Sequence, residues 1–489
     1  MRLHALVALL FSAVALTAGT HAQHHHHRGH RRQAELAAVA TTSTHSGSSS
    51  SSPSSPPAST PTLSSSTTSS PGSISTGSSS SSTNSSPSSP ASVPTGQNGV
   101  PPLSMISSGM PTGTSSPLAS TYTPGATPPV PGAPPLPTAF VFNAADWPAQ
   151  DKVPDTNSPQ VQQWIQELEG FDIPDWSPTA DGTCVGDPAA AAEGKTRGWW
   201  TCGGTTRDTD ITACPKKYDW GVSFDDGPSP WSGTLLNYLS KQAIKATFFV
   251  VGSRVIERPA VLIEEYMAGH EISVHTWSHR PLTSLTNEQI VAELGWTRMA
   301  IQKVLGVTPT TMRPPYGDID DRVRAIALAM GMVPIIWTSA PSSGPFDTND
   351  WRVAGGLVNA TTSFDTFQSI LGNASTLSTG FIVLQHDLYE ITVDLAVGYT
   401  LNAALTHNPP FSLKPIGTCS NIPATNMYSE SNQNTTFPYT NHTVITSKNS
   451  NSSSSAAQSS SNTANGRVSV SWLVAGLVGV GCAVVHLMN

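Results

Sequence analysis

Short apolar runs alternate with longer amphipathic runs between Tyr218 and about residue 408. The short runs have the length and composition of buried strands, and they are Trp220–Phe224, Ala246–Val251, Glu271–Val274, Val333–Trp337 and Phe381–Gln385. The longer runs have the amphipathic pattern of helices, and they are Trp231–Gln242, Pro259–Ala268, Asn287–Leu305, Asp321–Met330 and Val393–Leu405. This alternation predicts a parallel α/β sheet, open or closed into a barrel, with its chemistry at the C-terminal ends of the strands.

Charged residues make up only 11% of the chain, and their shortage is local. No Asp, Glu, Lys or Arg occurs between Glu35 and Asp146, where Ser, Thr, Pro, Gly and small apolar residues dominate. Such a stretch buries too little apolar surface to offset the entropy of ordering it, so we expect a disordered arm over residues 23–140. A Ser- and Asn-rich stalk is expected over residues 426–462. The formal net charge of -8 argues against a polyanionic partner such as nucleic acid.

Both ends of the chain have the pattern of processing signals. An apolar run over Ala5–Ala18, followed by small residues, predicts a secretory signal peptide over residues 1–22. Val468–Met488 is uncharged and mostly apolar, with a polar spacer and small residues before it. This order predicts a GPI-anchor signal over residues 463–489, removed after attachment at Asn462. A C-terminal membrane helix is the alternative, but no Lys or Arg follows the apolar run.

The cysteine count agrees with a secreted protein. Cys482 lies in the tail that would be removed, which leaves Cys184, Cys202, Cys214 and Cys419. An even number in an oxidising compartment indicates disulfides, and three pairings of four cysteines exist. We favour Cys184 with Cys202, and Cys214 with Cys419.

These boundaries divide the foldable part into an N-terminal extension over residues 141–213 and a main domain over residues 214–425. Sequons that could carry N-glycans occur at Asn84, Asn359, Asn373, Asn434, Asn441 and Asn451. The histidine run over residues 24–27 could bind a metal, but it lies in a polar segment with nothing to orient the rings. We interpret it as a solvated tract.

Acidic and histidine side chains follow two of the predicted strands. Asp225 and Asp226 end the first strand and precede a Gly-Pro turn, which separates their side chains. Taken alone, this motif fits a turn with two solvated acids equally well. His275 and His279 follow the third strand with a spacing suited to one metal ion. One acid and two histidines make a three-ligand site with room for water, and they favour zinc, with cobalt as an alternative.

Three further segments carry polar residues after later strands. They begin at Arg313, Asp347 and Leu384 and read RPPYGD, DTNDW and LQHD. Each is weak evidence alone, because Arg313 could be a surface cation, Trp351 a core aromatic residue and His386 a buried structural histidine.

Together the five segments resemble the NodB-homology polysaccharide deacetylases of carbohydrate esterase family 4. That family carries (T/S)FDDGP, H(S/T)xxH, RxxPY, DxxDW and LxH in this order, and the chain reads SFDDGP, HTWSH, RPPYGD, DTNDW and LQH within residues 223–386. The resemblance implies a distorted (β/α) barrel. The Ser/Thr-rich arms and the anchor signal resemble those of GPI-anchored fungal chitin deacetylases.

The resemblance implies roles for the first three motifs. Asp226, His275 and His279 would bind one divalent ion, zinc or cobalt, which would polarise the acetamide carbonyl. Asp225 would be the general base that takes a proton from water, and Arg313 would keep it ionised and oriented.

The resemblance also implies roles for Tyr316 of the third motif and for residues of the last two motifs. His386 would be the general acid that protonates the departing amine, and Asp350 would orient it. The backbone N–H of Tyr316 would help to hold the oxyanion. Trp351 would form a wall of the substrate groove, and Leu384 would line the pocket for the acetyl methyl group.

The expected activity is removal of N-acetyl groups from chitin, giving chitosan and acetate during cell wall remodelling. The expected location is the outer face of the cell membrane, through the GPI anchor, and the cell wall. Peptidoglycan, O-acetyl xylan or another acetylated glycan are alternative substrates, because fold and motif do not decide between them. A wall protein whose domain only binds chitin is a third interpretation, but a pure binder needs neither the base nor the acid.

Overall fold

The computed structural model of the protein describes residues 97–340 and 344–438. The strands are Asp219–Gly221 (β1), Ser223–Asp225 (β2), Thr247–Val250 (β3), Glu271–Val274 (β4), Thr311–Met312 (β5), Val333–Pro334 (β6), Ser339–Ala340 (β7), Gly344–Pro345 (β8), Phe381–Ile382 (β9) and Ser412–Lys414 (β10). The α-helices are Pro159–Ile165 (α1), Pro188–Ala192 (α2), Ser232–Lys241 (α3), Gly252–Glu257 (α4), Pro259–Met267 (α5), Asn287–Leu305 (α6), Asp321–Ala329 (α7), Asp350–Ala354 (α8), Ala360–Ala374 (α9), Glu390–Leu395 (α10), Leu401–Leu405 (α11) and Ile416–Cys419 (α12). A π-helical turn, Ala396–Thr400, joins α10 to α11. Short 3₁₀ turns are Gln97–Gly99, Leu103–Met105, Ala144–Asp146, Gln166–Leu168, Leu282–Ser284, Pro315–Gly317 and Ala424–Met427.

One parallel sheet contains the strands that carry or directly precede the first three motifs, SFDDGP, HTWSH and RPPYGD. Its order is β2-β3-β4-β5-β6, with every neighbouring pair parallel. Phe248 of β3 lies beside Phe224 on one side and Ile272 on the other. All four residues of β3 are buried, as expected for a parallel strand whose two faces are both covered.

The sheet closes on itself into a ring. β1 and β2 are successive parts of one extended segment that is interrupted at Val222, and β1 pairs in parallel with β9 and β10. Beyond β9, His386 pairs in parallel with Asp225. Beyond β6, the N–H of Thr338 donates to the carbonyl of Ile382 at 3.1 Å. The predicted distorted (β/α) barrel is therefore confirmed.

The predicted helices are present, and α6 has the boundary that its sequence predicts. The Thr286 hydroxyl accepts from the N–H of Gln289 at 3.3 Å, and the Gln289 side chain accepts from the N–H of Thr286 at 3.0 Å. This reciprocal cap satisfies two N–H groups at the start of the helix. The helix then buries Ile290, Leu294 and Ile301 on the face that packs against the barrel.

Several elements were not predicted, and α9 is the longest of them. Its 15 residues include Thr, Ser, Asn and Gly, which have weak helix propensity. Asn359 caps it by accepting from the N–H of Thr362 at 2.8 Å, and Phe367, Ile370 and Leu371 are buried. Tertiary packing therefore outweighs local propensity in this helix.

The prediction of a disordered arm over residues 23–140 was wrong for its last part. Residues 97–140, which we call the N-terminal strap, lie against the barrel domain and bury Val100, Ile106 and Leu136. Backbone groups of the strap bond to side chains of the domain. The N–H of Gly113 lies 3.0 Å from both carboxylate oxygens of Glu390. A few apolar anchors and partners outside the strap thus order a segment that has no charge of its own.

The predicted stalk over residues 426–462 also begins as folded chain. Met427 and Tyr428 are buried, and the Tyr428 hydroxyl accepts from the N–H of Ile272 at 2.9 Å. The predicted signal peptide, histidine run, remaining arm, remaining stalk and anchor signal lie outside the described residues. Among the helices of residues 97–340 and 344–438, none has the length and apolar content needed to cross a membrane.

Candidate metal centre and active site

Two adjacent acids stand at the C-terminal end of β2. Asp226 has a backbone φ of 78°, which turns the chain sharply after the strand. Gly227 follows, and a Cβ at this position would lie 2.6 Å from the carboxylate of Asp387. A side chain here would displace Asp387, and the turn directs Asp225 and Asp226 to different neighbours.

His275 and His279 meet Asp226 from the end of β4. The Nε2 atoms of His275 and His279 lie 3.4 Å and 3.0 Å from Asp226 Oδ1. One ligand atom from each of the three residues lies within 4.8 Å of the other two. This spacing and the mixed nitrogen and oxygen donor set fit a single divalent metal ion.

The protonation of the cluster also fits a metal. His275 Nδ1 lies 2.8 Å from the carbonyl of Arg313, which can only accept, so the ring donates from Nδ1 and leaves Nε2 as a lone-pair donor. Burial alone would raise the pKa of Asp226, but the charge of the nearby His279 opposes it, and the pKa of Asp226 lies well below its usual value. Asp226 is thus an ionised ligand beside two imidazoles.

Asp225 lies beside this cluster and pairs with Arg313. Arg313 Nη1 donates to Asp225 Oδ1 at 2.6 Å and to the Ser223 hydroxyl at 2.9 Å. The guanidinium is fully buried and stacks over the ring of Phe249, 3.9 Å from its centroid. The other oxygen, Oδ2, lies 3.8 Å from Nε2 of His275, on the side of the metal cluster.

His386 and Asp350 form a second buried pair. Asp350 Oδ1 lies 2.8 Å from His386 Nδ1, and Asp350 Oδ2 accepts from the His386 backbone N–H at 2.8 Å. Burial alone would lower the pKa of His386, but the carboxylate of Asp350 outweighs it and raises that pKa to about 10. The ring is therefore held in one orientation as a cation.

The remaining predicted residues lie around these pairs. Trp351 and Leu384 are buried, and the indole N–H of Trp351 donates to Asp347 at 3.3 Å. Tyr316 has a backbone φ of 63°, and its ring centroid lies 4.7 Å from that of His279. His386 joins the group through its pairing with Asp225 across the barrel closure. The structure therefore brings the strand-end motifs into one region.

Two buried acids that support the site were not assigned a role from the sequence. Glu293 of α6 accepts from the backbone N–H groups of Trp277 and Ser278, each at 2.8 Å, and from the Ser278 hydroxyl. It thereby holds the turn between His275 and His279. Burial raises the pKa of Glu293 to about 7. An acid at a position that helical periodicity assigns to the buried face was the available signal.

Asp387 is the second such acid. It is fully buried, accepts from the Ser232 hydroxyl at the start of α3, and packs against Gly227. Burial raises the pKa of Asp387 to about 7. It thus fixes the turn that carries Asp225 and Asp226, and its place directly after His386 was the only sequence signal.

Two disulfides hold the domain, and they have the favoured pairings. One joins Cys184 to Cys202 within the extension, and the other joins Cys214 to Cys419, 205 positions apart. Among the predicted glycosylation sites, Asn359 and Asn434 are exposed and Asn373 is half-buried. The other three, Asn84, Asn441 and Asn451, and the predicted anchor site Asn462, lie outside the described residues.

The chain is similar to known proteins, both to one family model and to individual relatives. A family model described as polysaccharide deacetylase matches residues 212–335. Chitin deacetylase 1 of Cryptococcus neoformans var. grubii is 52% identical over 348 residues, which are 70% of this chain and 73% of that protein. Chitin deacetylase 2 of the same organism is 37% identical, over 53% of this chain and 56% of that protein.

Among solved structures, the chitin deacetylase of Colletotrichum lindemuthianum has a TM-score of 0.38 and 23% identity, over 46% of this chain and 97% of that chain. The sequence relatives and the family model are sufficient: the chain belongs to the polysaccharide deacetylase family. The resemblance noted in its motifs is thereby confirmed.

Proposed function

We propose that this protein hydrolyses the N-acetyl groups of N-acetylglucosamine residues in chitin, giving chitosan and acetate during cell wall remodelling. The observation that carries the proposal is the placement of Asp225, paired with Arg313, beside the cluster of one aspartate and two histidines, with the His386–Asp350 pair at the same end of the barrel. The names of the relatives, chitin deacetylases 1 and 2 of a fungus, support this substrate over other acetylated glycans.

Asp226, His275 and His279 would hold one divalent ion, and their donor set favours zinc, with cobalt as the alternative. When bound, the ion supplies Lewis-acid polarisation of the acetamide and a lower pKa for water. The protein's part is to keep Asp226 ionised and to fix the His275 tautomer through the carbonyl of Arg313.

Asp225 is proposed as the general base. Arg313 holds one oxygen at 2.6 Å and leaves Oδ2 on the side of the cluster to accept a proton from water. Because Arg313 is fully buried, its position is fixed by packing against Phe249 rather than by solvent. The base is therefore oriented before substrate arrives.

His386 is proposed as the general acid. Asp350 binds Nδ1, so Nε2 is the nitrogen that can deliver a proton to the departing sugar amine. The raised pKa keeps this proton on the ring at neutral pH. The backbone N–H of Tyr316 would donate to the oxyanion that develops on the carbonyl oxygen of the acetyl group.

Two apolar side chains are proposed to shape the substrate site. Trp351 would form a wall of the sugar groove, and Leu384 would line the pocket for the acetyl methyl group. Both are buried in the structure, with 4% and 5% of their surfaces exposed, which fits residues that contact a substrate only at an edge.

We also propose that the protein is secreted and held at the outer face of the cell membrane by a GPI anchor, with association to the cell wall. This rests on the apolar runs at the two ends of the sequence and on the sequons. Release of the protein from membranes by a phosphatidylinositol-specific phospholipase would support the anchor, and retention after that treatment would contradict it.

The activity is tested by acetate release from chitin oligomers, with acetylated xylan as the competing substrate. We expect release from chitin oligomers, its loss after chelation, and its loss in Asp225→Asn with chitin binding retained. Activity on xylan alone would overturn the choice of substrate. Unchanged acetate release in Asp225→Asn would reject the proposed base.

A further inference from the structure

The segment closed by the Cys184–Cys202 disulfide docks directly onto the loop that carries Tyr316. Trp199, in this segment, is fully buried, and its indole N–H donates to Asp318 Oδ1 at 2.7 Å. The Thr201 hydroxyl donates to the same oxygen at 3.1 Å. The extension thus supplies two hydrogen-bond donors to one carboxylate oxygen, two residues after Tyr316.

The other oxygen of Asp318 binds the chain that follows His279. The Thr283 backbone N–H and hydroxyl donate to Asp318 Oδ2 at 2.9 Å and 2.7 Å. Asp318 is fully buried. Burial raises its pKa to about 6, although the hydrogen bonds from Trp199 and Thr283 act to lower it. One carboxylate therefore ties the extension, the loop with Tyr316 and the segment after a metal-ligand histidine together.

Trp200 holds the same loop from the next position. Its backbone N–H donates to the carbonyl of Ile319 at 2.9 Å. A Cβ on Gly317 would lie 2.4 Å from its ring, and Gly317 has a φ of 67°. The ring of Trp200 also packs edge-on against Trp337, with centroids 4.8 Å apart. The backbone on both sides of Asp318 is thereby fixed by the extension.

Tyr316 needs such support. A non-glycine residue with a positive φ, here 63°, holds a backbone conformation that costs about 1 kcal/mol or more and persists only when its surroundings enforce it. Its backbone N–H is the oxyanion donor of the proposed function, and an oxyanion donor acts only if it is already in place.

We infer that Trp199 and Asp318 are positioning residues that hold the Tyr316 loop in its active conformation through the disulfide-closed segment of the extension. This inference rests on the proposed function. Residues 184–202 would therefore set the geometry of the catalytic loop without touching substrate.

The test compares Trp199→Phe, which keeps an aromatic ring and removes the N–H donor, with Trp220→Phe. Trp220 is equally buried, and its indole N–H has no hydrogen-bond partner among the described residues. We expect Trp199→Phe to lower kcat about tenfold, with KM and metal affinity changed less than about twofold. If Trp199→Phe fails to fold, Thr201→Val takes its place. It removes one of the two donors to Asp318 and should also lower kcat, by less than Trp199→Phe would.

Hydrogen–deuterium exchange of the peptide covering residues 314–319 is the readout independent of activity, and it should be faster in Trp199→Phe than in Trp220→Phe. A kcat equal to that of the Trp220→Phe control, or unchanged exchange of this peptide, would overturn the inference. Wild-type protein that releases no acetate would instead overturn the proposed function, and the exchange measurement would still decide whether Trp199 holds the loop.

Discussion

Replacing Asp350 with Asn removes the negative charge that stabilises protonated His386, and the effect can be worked from the structure. The two groups touch at 2.8 Å, and both are buried. Opposite unit charges centred about 4 Å apart at an effective dielectric constant of about 20 attract by about 4 kcal/mol. At about 1.4 kcal/mol per pKa unit, the pKa of His386 should fall by about three units. Because the general acid must be protonated, the alkaline limb of activity should move to lower pH.

The assay is acetate release from chitin oligomers, with kcat measured across the alkaline range for wild type and Asp350→Asn. Asp347→Asn is the matched control. Asp347 is half-buried in the same motif and is also negatively charged in the alkaline range, but it accepts hydrogen bonds from Asn349 and Trp351 rather than from the His386 ring. We expect a clear shift of the limb in Asp350→Asn and a smaller one in the control. A lower kcat with the limb unmoved would refute His386 as the titrating acid.

Three further outcomes are expected. Chelation should abolish acetate release, and added Zn²⁺ or Co²⁺ should restore it; activity that survives chelation would contradict the metal site. Glu293→Gln should weaken metal binding about tenfold by loosening the turn between the two histidines. The exposed Glu288→Gln on the same helix serves as its control, and equal affinity in both would argue against this support. Gly227→Ala should lower thermal stability and activity, because the added Cβ would meet the Asp387 carboxylate. Gly372→Ala adds a Cβ where nothing lies within 4 Å, so it should lower neither stability nor activity. Similar losses in both variants would contradict the steric explanation.

The strand-end chemistry could be predicted from the sequence because topology decides most of it. Once a parallel sheet is expected, Asp225 and His275 must lie at the same edge, and spacing brings Asp226 and His279 to them. The closure of the barrel could not be predicted in the same way. It depends on single pairings such as that of Thr338 with Ile382, which leave no periodic pattern in the sequence.

The roles of the buried acids and the order of the N-terminal strap could not be predicted, for a related reason. Glu293 and Asp318 are stable inside the protein only because backbone N–H groups and hydroxyls from distant segments meet them. The strap is ordered by surfaces that belong to the domain, such as Glu390, and by buried residues too sparse to form a pattern. In each case the deciding information lies in the partner, far away along the chain.

The bond between Cys214 and Cys419 has a consequence for how the protein withstands peptidases. It joins positions 205 apart, so nearly the whole barrel lies between its two ends. A single cut in any surface loop within that span would leave one covalent molecule. The fragments before and after the cut would stay joined through this disulfide. Only a reducing agent and a denaturant together would separate the fragments.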